Sequence, residues 1–150
     1  MKILMVCLGN ICRSPLAEGI LKEKIRARGL DWQVDSAGTG GWHAGELPDH
    51  RSIKTARRHG IDLTDQRARQ LRAADLEQFD LVLAMDASNR SDILRLARTE
   101  AHRNKVEMIM NFLHAGSDED VPDPYWDDNG FEAVFQMLEE ACEALIEGYT

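Results

Sequence analysis

The sequence lacks the features of a membrane-bound or secreted protein. No apolar run approaches the roughly 20 residues that a membrane-spanning helix needs. No N-terminal stretch combines the basic region and the long apolar region of a secretory signal peptide. Only 3 cysteines are present, and their positions do not form the disulfide framework of a small secreted domain. These absences predict a cytoplasmic protein with no membrane partner.

Nucleotide-binding and metal-binding motifs are missing as well. Gly9 is the only glycine between the first predicted strand and the helix that follows, which excludes the dinucleotide fingerprint and the ATP-binding loop with its lysine. Neither the cysteines nor the 5 histidines have the spacing of zinc ligands. The acidic stretch 118–129 does not fit the register of a calcium-binding loop. We therefore expect an activity that uses no metal and no cofactor.

Positive charge is scarce and unevenly placed. The formal net charge is −8 at pH 7, which argues against nucleic acid as a partner. No lysine or arginine follows Lys105. The basic segment between positions 51 and 72 is typical of a solvated helix face, and docking of acidic substrates is the competing hypothesis. Its basic residues are Arg51, Lys54, Arg57, Arg58, Arg67, Arg69 and Arg72.

What the sequence does contain is an alternation of apolar strands and amphipathic helices. With 150 residues, of which 43% are hydrophobic, it is long enough for a single domain over residues 1–150 with its own core. Strands are predicted at 2–6, 32–37, 81–85 and 106–110, and helices at 15–28, 51–59, 73–79, 86–98 and 130–147. Helices between successive strands predict an α/β fold with a parallel sheet and right-handed crossovers.

The loop after the first strand carries the strongest chemical signal. The helix that Pro15 opens directs unpaired N–H groups and the positive end of its dipole at this loop, so a bound phosphate is expected there. We expect Gly9 to allow a positive φ where the loop curls, and Asn10 to tolerate the left-handed region better than most residues. Successive N–H groups can then converge on an anion. The predicted phosphate-binding residues are Leu8, Gly9, Asn10, Ile11, Cys12 and Ser14.

Two side chains of the loop suggest a reaction. A helix N-terminus and a nearby arginine favour the thiolate form of a cysteine, so Cys7 is predicted to be a nucleophile at neutral pH. The guanidinium of Arg13 can pair with two phosphoryl oxygens and stays charged. The hydroxyl of Ser14 can cap the helix and donate to the sulfur. A thiolate beneath a phosphate predicts attack on phosphorus and a phosphocysteine intermediate.

Expulsion of an alcohol or phenol requires a proton donor, and the candidate is Asp123. Pro122 and Pro124 stiffen its loop, and Tyr125 and Trp126 follow it. Partial burial beside these rings and a phosphate dianion nearby favour the protonated carboxyl group, which can then act as a general acid. The same group can activate water to hydrolyse the intermediate.

These segments resemble the low-molecular-weight protein tyrosine phosphatases over nearly the whole chain. The resemblance implies Cys7 as nucleophile, Arg13 as phosphate clamp and Asp123 as general acid and base, with Asn10 and Ser14 organising the loop. It also implies a three-layer α/β/α fold with strand order 2-1-3-4, which places the loop at a topological switch point. The matching segments are Cys7 to Pro15, Ser36 to Thr39, Met85-Asp86 and Asp123 to Trp126.

The resemblance also bears on the substrate. Trp42, Tyr125 and Trp126 match positions that wall the substrate cleft, and a deep aromatic cleft selects phosphotyrosine by reach and stacking. In related arginine phosphatases the position of Ile11 is typically threonine, so isoleucine favours phosphotyrosine. A protein-arginine phosphatase is the alternative. Arsenate reduction needs further cysteines, and only Cys142, expected in the core, lies outside the loop.

The resemblance has further implications for the loop and its neighbours. Cys12 either packs the loop or forms a reversible disulfide with Cys7. Gln66 aligns with a histidine that supports the loop asparagine in many animal members, and Asp86 aligns with a carboxylate beside the clamp arginine.

The implied partners are tyrosine-phosphorylated proteins, including a tyrosine autokinase if the chain is bacterial. The protein is expected to be a monomer, with weak dimerisation as the alternative. A non-catalytic phosphate-binding module is the remaining alternative function.

Overall fold

Four short strands form a parallel sheet in the order β2-β1-β3-β4, in a computed structural model that describes residues 1–150. The predicted strand order 2-1-3-4 and the parallel pairing are confirmed. The strands are β1 (Lys2–Cys7), β2 (Gln33–Gly38), β3 (Leu81–Ala84) and β4 (Val106–Met108).

Helices cover both faces of the sheet because the central strand β1 is apolar on both sides. Ile3 and Met5 pack against one set of helices, whereas Leu4 and Val6 pack against the other. The first face meets α1 (Arg13–Ala27), α2 (His50–Arg58) and α6 (Phe131–Tyr149). The second face meets α3 (Asp75–Gln78) and α4 (Ala87–Leu94), and the short α5 (Glu100–Asn104) leads into β4. No helix is both long and apolar enough to cross a membrane.

The helix predicted for residues 86–98 is present but four residues shorter at its C-terminal end, and a second helix that was not predicted follows it. Asp86 caps α4 as expected, since its Oδ1 accepts from the Asn89 N–H at 2.7 Å. The helix ends at Leu94, and Thr99 caps α5 by accepting from the His102 N–H at 3.1 Å. A threonine hydroxyl in this role starts a new helix rather than continuing the old one. The fourth strand is also shorter than predicted, because a 3₁₀ turn begins at Ile109.

The position of β1 brings distant segments to one edge of the sheet. Its carboxyl end lies between those of β2 and β3, which is where ligands bind in open α/β sheets. After β3, the Met85 N–H donates to the Val6 carbonyl at 3.2 Å, and the Val121 N–H donates to the Met85 carbonyl at 2.8 Å. This second bond holds the 121–126 segment beside the loop that leaves β1.

Candidate active site

The loop between β1 and α1 presents a concave row of backbone donors. The N–H groups of residues 8–14 donate to no acceptor within the protein. The tight curl comes from Asn10, whose φ is 57°. The prediction of a positive φ at Gly9 is wrong, and the glycine serves a different purpose. A side chain at Gly9 would come within 3.3 Å of the His43 ring, so its absence leaves room for that ring at the edge of the loop.

The sulfur of Cys7 is buried at the floor of this loop. Its Sγ lies 3.0 Å from the Ser14 Oγ. The prediction that Ser14 caps the helix is wrong, because α1 begins at Arg13 with Cys12 at the N-cap position and no side chain bonds there. The Ser14 hydroxyl is instead turned inward, where it also accepts from the Asn10 Nδ2 at 2.8 Å.

Arg13 is buried and held from behind. Its Nη1 donates to the Asp86 Oδ2 at 2.7 Å and to the Val121 carbonyl at 2.9 Å, which puts Asp86 where the resemblance implied. Burial disfavours the charge, but Cys7 and Asp86 outweigh it, so the pKa of Arg13 lies above its ordinary value. Its Nε and Nη2 donate to no protein acceptor within hydrogen-bond distance, and these two parallel donors match two oxygens of a phosphate.

The structure brings Asp123 to the same place from the far end of the chain. Asp123 precedes a 3₁₀ turn formed by Pro124, Tyr125 and Trp126, and its Oδ1 accepts from the Tyr125 N–H at 3.1 Å. Its Oδ2 lies 3.8 Å from the Arg13 Nη2, and its side chain is 34% exposed. A carboxyl group here faces the mouth of the loop.

Aromatic rings form the walls of the cleft above the sulfur. Trp42 contributes one wall, and Tyr125 and Trp126 contribute the other. Tyr125 and Trp126 meet edge to face with centroids 4.8 Å apart. The ring of Trp42 lies on Gly40, where an added Cβ would be only 1.9 Å from it. Trp42 and Trp126 remain 71% and 86% exposed, so these rings are open to a ligand rather than part of the core.

Sequence reasoning missed two residues near this cleft. His43 lines the cleft beside Trp42, and its Nδ1 lies 3.1 Å from the Glu46 Oε2. The adjacency to Trp42 was the available signal. Glu18 is buried behind the loop and accepts from the Ser36 Oγ at 2.6 Å. Its spacing of four residues from Ser14 on the same helix was the only sequence signal.

Gln66 does not support the loop asparagine. Its Nε2 donates to the Pro15 carbonyl at 3.0 Å, and its Oε1 has no hydrogen-bond partner. Asn10 is held instead by the Arg69 N–H, which donates to the Asn10 Oδ1 at 3.0 Å, and by the Ser36 Oγ, which accepts from the Asn10 Nδ2 at 3.0 Å. The support implied for the position of Gln66 therefore comes from other residues.

Burial raises the pKa of the other two cysteine thiols. Burial, followed by the charge of Asp49, raises the pKa of Cys12 to about 12. Burial likewise raises the pKa of Cys142 to about 12, and this side chain lies in the core as expected. All three are free thiols, and the disulfide between Cys7 and Cys12 stays a prediction.

Comparison with known proteins gives one consistent family. A family model described as low molecular weight phosphotyrosine protein phosphatase matches residues 2–149. A low molecular weight protein-tyrosine-phosphatase of Streptomyces coelicolor is 42% identical and covers 97% of this chain and 91% of its own. The phosphatase YfkJ of Bacillus subtilis is 39% identical over 96% and 92% of the two chains. Its crystal structure superposes with a TM-score of 0.92, covering 99% of this chain and 93% of that one at 38% identity. A Drosophila arginine phosphatase superposes with a TM-score of 0.93 at 36% identity, covering 100% and 98%.

Proposed function

This chain belongs to the low molecular weight phosphotyrosine protein phosphatase family, and we infer that it hydrolyses phosphotyrosine in proteins through a phosphocysteine intermediate. The observation that carries this inference is the meeting of three groups in one aromatic cleft. These are the buried sulfur of Cys7, the guanidinium of Arg13 and the carboxyl group of Asp123. A phosphate placed on the free N–H groups of the loop would lie between them.

In the first step, the Cys7 thiolate attacks phosphorus and the P–O bond to the tyrosine oxygen breaks. Asp123 gives its proton to that oxygen, so tyrosine leaves as a neutral phenol. Arg13 and the loop N–H groups hold the three remaining phosphoryl oxygens throughout, where negative charge is greatest. The products are dephosphorylated tyrosine and phosphocysteine.

In the second step, water attacks the phosphorus of the intermediate. Asp123 is now a carboxylate and accepts a proton from this water, while the P–S bond breaks and returns the electron pair to Cys7. Inorganic phosphate leaves, and the sulfur is again a thiolate. The reaction is complete with groups of this chain and one water molecule.

The cleft walls support phosphotyrosine as the substrate. Trp42, Tyr125 and Trp126 line the cleft above the loop. A phenyl ring can stack between them while the phosphate that it carries reaches the sulfur. A phenol, with a pKa of about 10, leaves far more readily than an aliphatic alkoxide, so one carboxyl group gives sufficient assistance.

Phosphoarginine is the second candidate substrate, because the Drosophila arginine phosphatase has nearly the same backbone. The discriminating residue is Ile11, whose side chain lines the cleft. An apolar side chain there offers no hydrogen bond to a guanidinium, which favours the aromatic substrate. Arsenate reduction is disfavoured, because Cys142 is fully buried in the core and its Sγ hydrogen-bonds only to the Ala17 carbonyl at 3.9 Å.

The decisive experiment compares hydrolysis of aryl phosphates by the wild type, Cys7→Ser and Asp123→Ala in the presence of a chelator. We expect Cys7→Ser to lose turnover, and Asp123→Ala to lose about 10²–10⁴-fold in kcat together with the alkaline limb of the pH profile. The loss in Asp123→Ala should be larger for phenyl phosphate than for p-nitrophenyl phosphate, whose better leaving group needs less protonation. Phosphotyrosine and phosphoarginine peptides are compared in parallel. Full activity of Cys7→Ser, or a preference for phosphoarginine, would contradict the proposal.

A further inference from the structure

A buried carboxylate behind the phosphate loop has no part in the steps above. Glu18 lies on α1 and is only 3% exposed. Its Oε1 accepts from the Ser36 Oγ at 2.6 Å, and its Oε2 lies 2.5 Å from the Lys22 Nζ. We propose that ionised Glu18, held by Lys22, is a positioning residue that fixes the direction of a hydrogen-bond chain ending on the Cys7 sulfur. The proposal rests on the assignment of Cys7 as nucleophile.

The direction of this chain is set first at Asn10. A backbone N–H can only donate, so the Arg69 N–H requires the amide oxygen of Asn10 to face it, at 3.0 Å. The amide nitrogen must then face the opposite way. Its two hydrogens go to the Ser14 Oγ at 2.8 Å and to the Ser36 Oγ at 3.0 Å. Both serines therefore accept a hydrogen bond from Asn10.

A serine that already accepts from Asn10 has its own hydrogen free for another partner. The Cys7 Sγ lies 3.0 Å from the Ser14 Oγ. Because a thiolate can only accept, the Ser14 hydrogen goes to the sulfur and stabilises its charge. The hydrogen of Ser36 goes to Glu18 at 2.6 Å. An acceptor is therefore required at position 18, and a carboxylate satisfies this requirement whichever way it turns. A donor at this position would leave the Ser36 hydrogen without an acceptor.

Lys22 is the external anchor of the chain. Its ammonium group has three donors and no acceptor, and it lies between Glu18 and Asp65, whose Oδ2 is 3.7 Å away. Burial raises the pKa of Glu18, and Lys22 and Ser36 oppose that effect, whereas the charge of Asp35 adds to it. The lysine and the serine together keep an acceptor where the chain needs one. The chain thus runs from the surface to the nucleophile through Lys22, Glu18, Ser36, Asn10, Ser14 and Cys7.

This geometry makes an unusual prediction for Glu18→Gln. The new amide has one acceptor and one donor end, and Lys22 can only donate, so the amide oxygen turns to Lys22 and the amide nitrogen turns to Ser36. The Ser36 oxygen then faces two donors, the Asn10 amide nitrogen and the new amide nitrogen, and the hydrogen of Ser36 has no acceptor. Removing the lysine as well, in Glu18→Gln/Lys22→Met, frees the amide to turn its oxygen to Ser36. The double variant should therefore be more active than the single one.

The test measures the pH dependence of Cys7 alkylation by iodoacetamide, alongside kcat/KM for an aryl phosphate. For Glu18→Gln we expect the alkylation midpoint to move up by about one pH unit and kcat/KM to fall about tenfold. In the double variant, the alkylation midpoint and kcat/KM should both return most of the way to the wild-type values. Glu23→Gln is the matched control, since Glu23 lies on the same helix and pairs only with Arg26 at the surface. This control should behave as the wild type.

Two results would overturn the proposal. One is an unchanged alkylation midpoint in a folded Glu18→Gln. The other is a double variant no better than the single one, since a purely structural role for Glu18 predicts that a second buried change only adds damage. Thermal melts of each variant show that it is folded. The alkylation readout does not require turnover, so it tests this hydrogen-bond chain even if the proposed phosphatase reaction fails.

Discussion

Arg13 and Asp86 show how one pair of side chains serves both folding and chemistry. The Asp86 Oδ2 receives the Arg13 Nη1, and its Oδ1 caps α4. The Val121 carbonyl takes a second bond from the same Nη1. Both hydrogen bonds that hold the guanidinium thus come from segments that follow β3, and the edge that carries Nε and Nη2 is left for phosphate.

Replacing Asp86 by asparagine separates these two roles. Asparagine can still cap α4, but it removes the negative charge beside a buried guanidinium. We expect the free energy of unfolding to fall by about 1–2 kcal/mol and kcat/KM to fall roughly tenfold. Asp86→Ala should lose about 1 kcal/mol more, because the cap is lost as well. Urea denaturation and steady-state kinetics measure both effects. Wild-type stability in Asp86→Asn would show that the ion pair contributes nothing.

Residue-scale prediction from sequence succeeded where the chemistry demands a specific side chain in a short motif. The loop from Cys7 to Arg13 and the aromatic turn after Asp123 do lie together in one cleft. Prediction failed at Gly9, which does not take the expected positive φ, whereas Asn10 does adopt the left-handed conformation that it was expected to tolerate. Glu18 and His43 were missed because their local signals, the spacing from Ser14 and the adjacency to Trp42, are weak. Their roles depend on long-range contacts, namely the bond from Ser36 of β2 to Glu18 and the packing of the His43 ring near Gly9.

At the scale of elements, the 3₁₀ turn Pro124–Trp126 carries the most exposed ring of the cleft, Trp126. Asp123 begins the turn by accepting from the Tyr125 N–H. The guanidinium of Arg51 lies 5.4 Å from the centroid of the Tyr125 ring and also pairs with Asp49. The turn is therefore fastened to the start of α2, while the indole of Trp126 projects into solvent.

Truncation of this wall in Trp126→Ala should affect binding without affecting folding. The side chain is 86% exposed, so we expect the melting temperature to stay within about 1 °C of the wild type. KM for a phosphotyrosine peptide should rise about three- to tenfold, while kcat stays nearly constant, because the ring contacts substrate in ground state and transition state alike. Trp32→Ala, which removes a tryptophan packed on Tyr149 far from the cleft, is the control. A large fall in kcat for Trp126→Ala would contradict this assignment.

Element-scale prediction depended on length and periodicity. Long segments such as α1 and α6, and the continuous apolar run of β1, were placed within a few residues. The region between β3 and β4 was misassigned because two short helices with their own caps, Asp86 and Thr99, follow one another closely. A hydroxyl in the middle of a polar stretch is a weak signal unless its cap bond is seen.

For the whole molecule, the distribution of charge around the cleft gives a test of substrate docking. The exposed cations Lys54, Arg57 and Arg58 of α2 have no carboxylate within 4.0 Å. The helix begins beside the phosphate loop, because the Asp49 N–H donates to the Ile11 carbonyl at 2.8 Å. The docking hypothesis therefore concerns the basic face of a helix that starts beside the cleft, in a protein with net charge −8.

If this face docks acidic substrates, Arg57→Glu/Arg58→Glu should lower kcat/KM for a phosphotyrosine peptide with flanking aspartates by about three- to tenfold at low salt. The same peptide with asparagines, and a simple aryl phosphate, should be turned over as by the wild type. Arg72→Glu, at another exposed arginine without an ion pair, controls for net charge. If kcat/KM falls equally for all three substrates, or for none of them, the docking hypothesis is wrong and α2 is simply a solvated face.

The burial of Cys12 and Cys142 has a practical consequence for anyone who handles this protein. Because burial raises both of these thiols to a pKa of about 12, a mild electrophile near neutral pH should meet a single competent sulfur per chain. One equivalent of a thiol-reactive fluorophore would then label the active-site cysteine alone, and the other two cysteines would not need to be replaced. The stoichiometry of that modification, read by intact mass, would report what fraction of a preparation is intact.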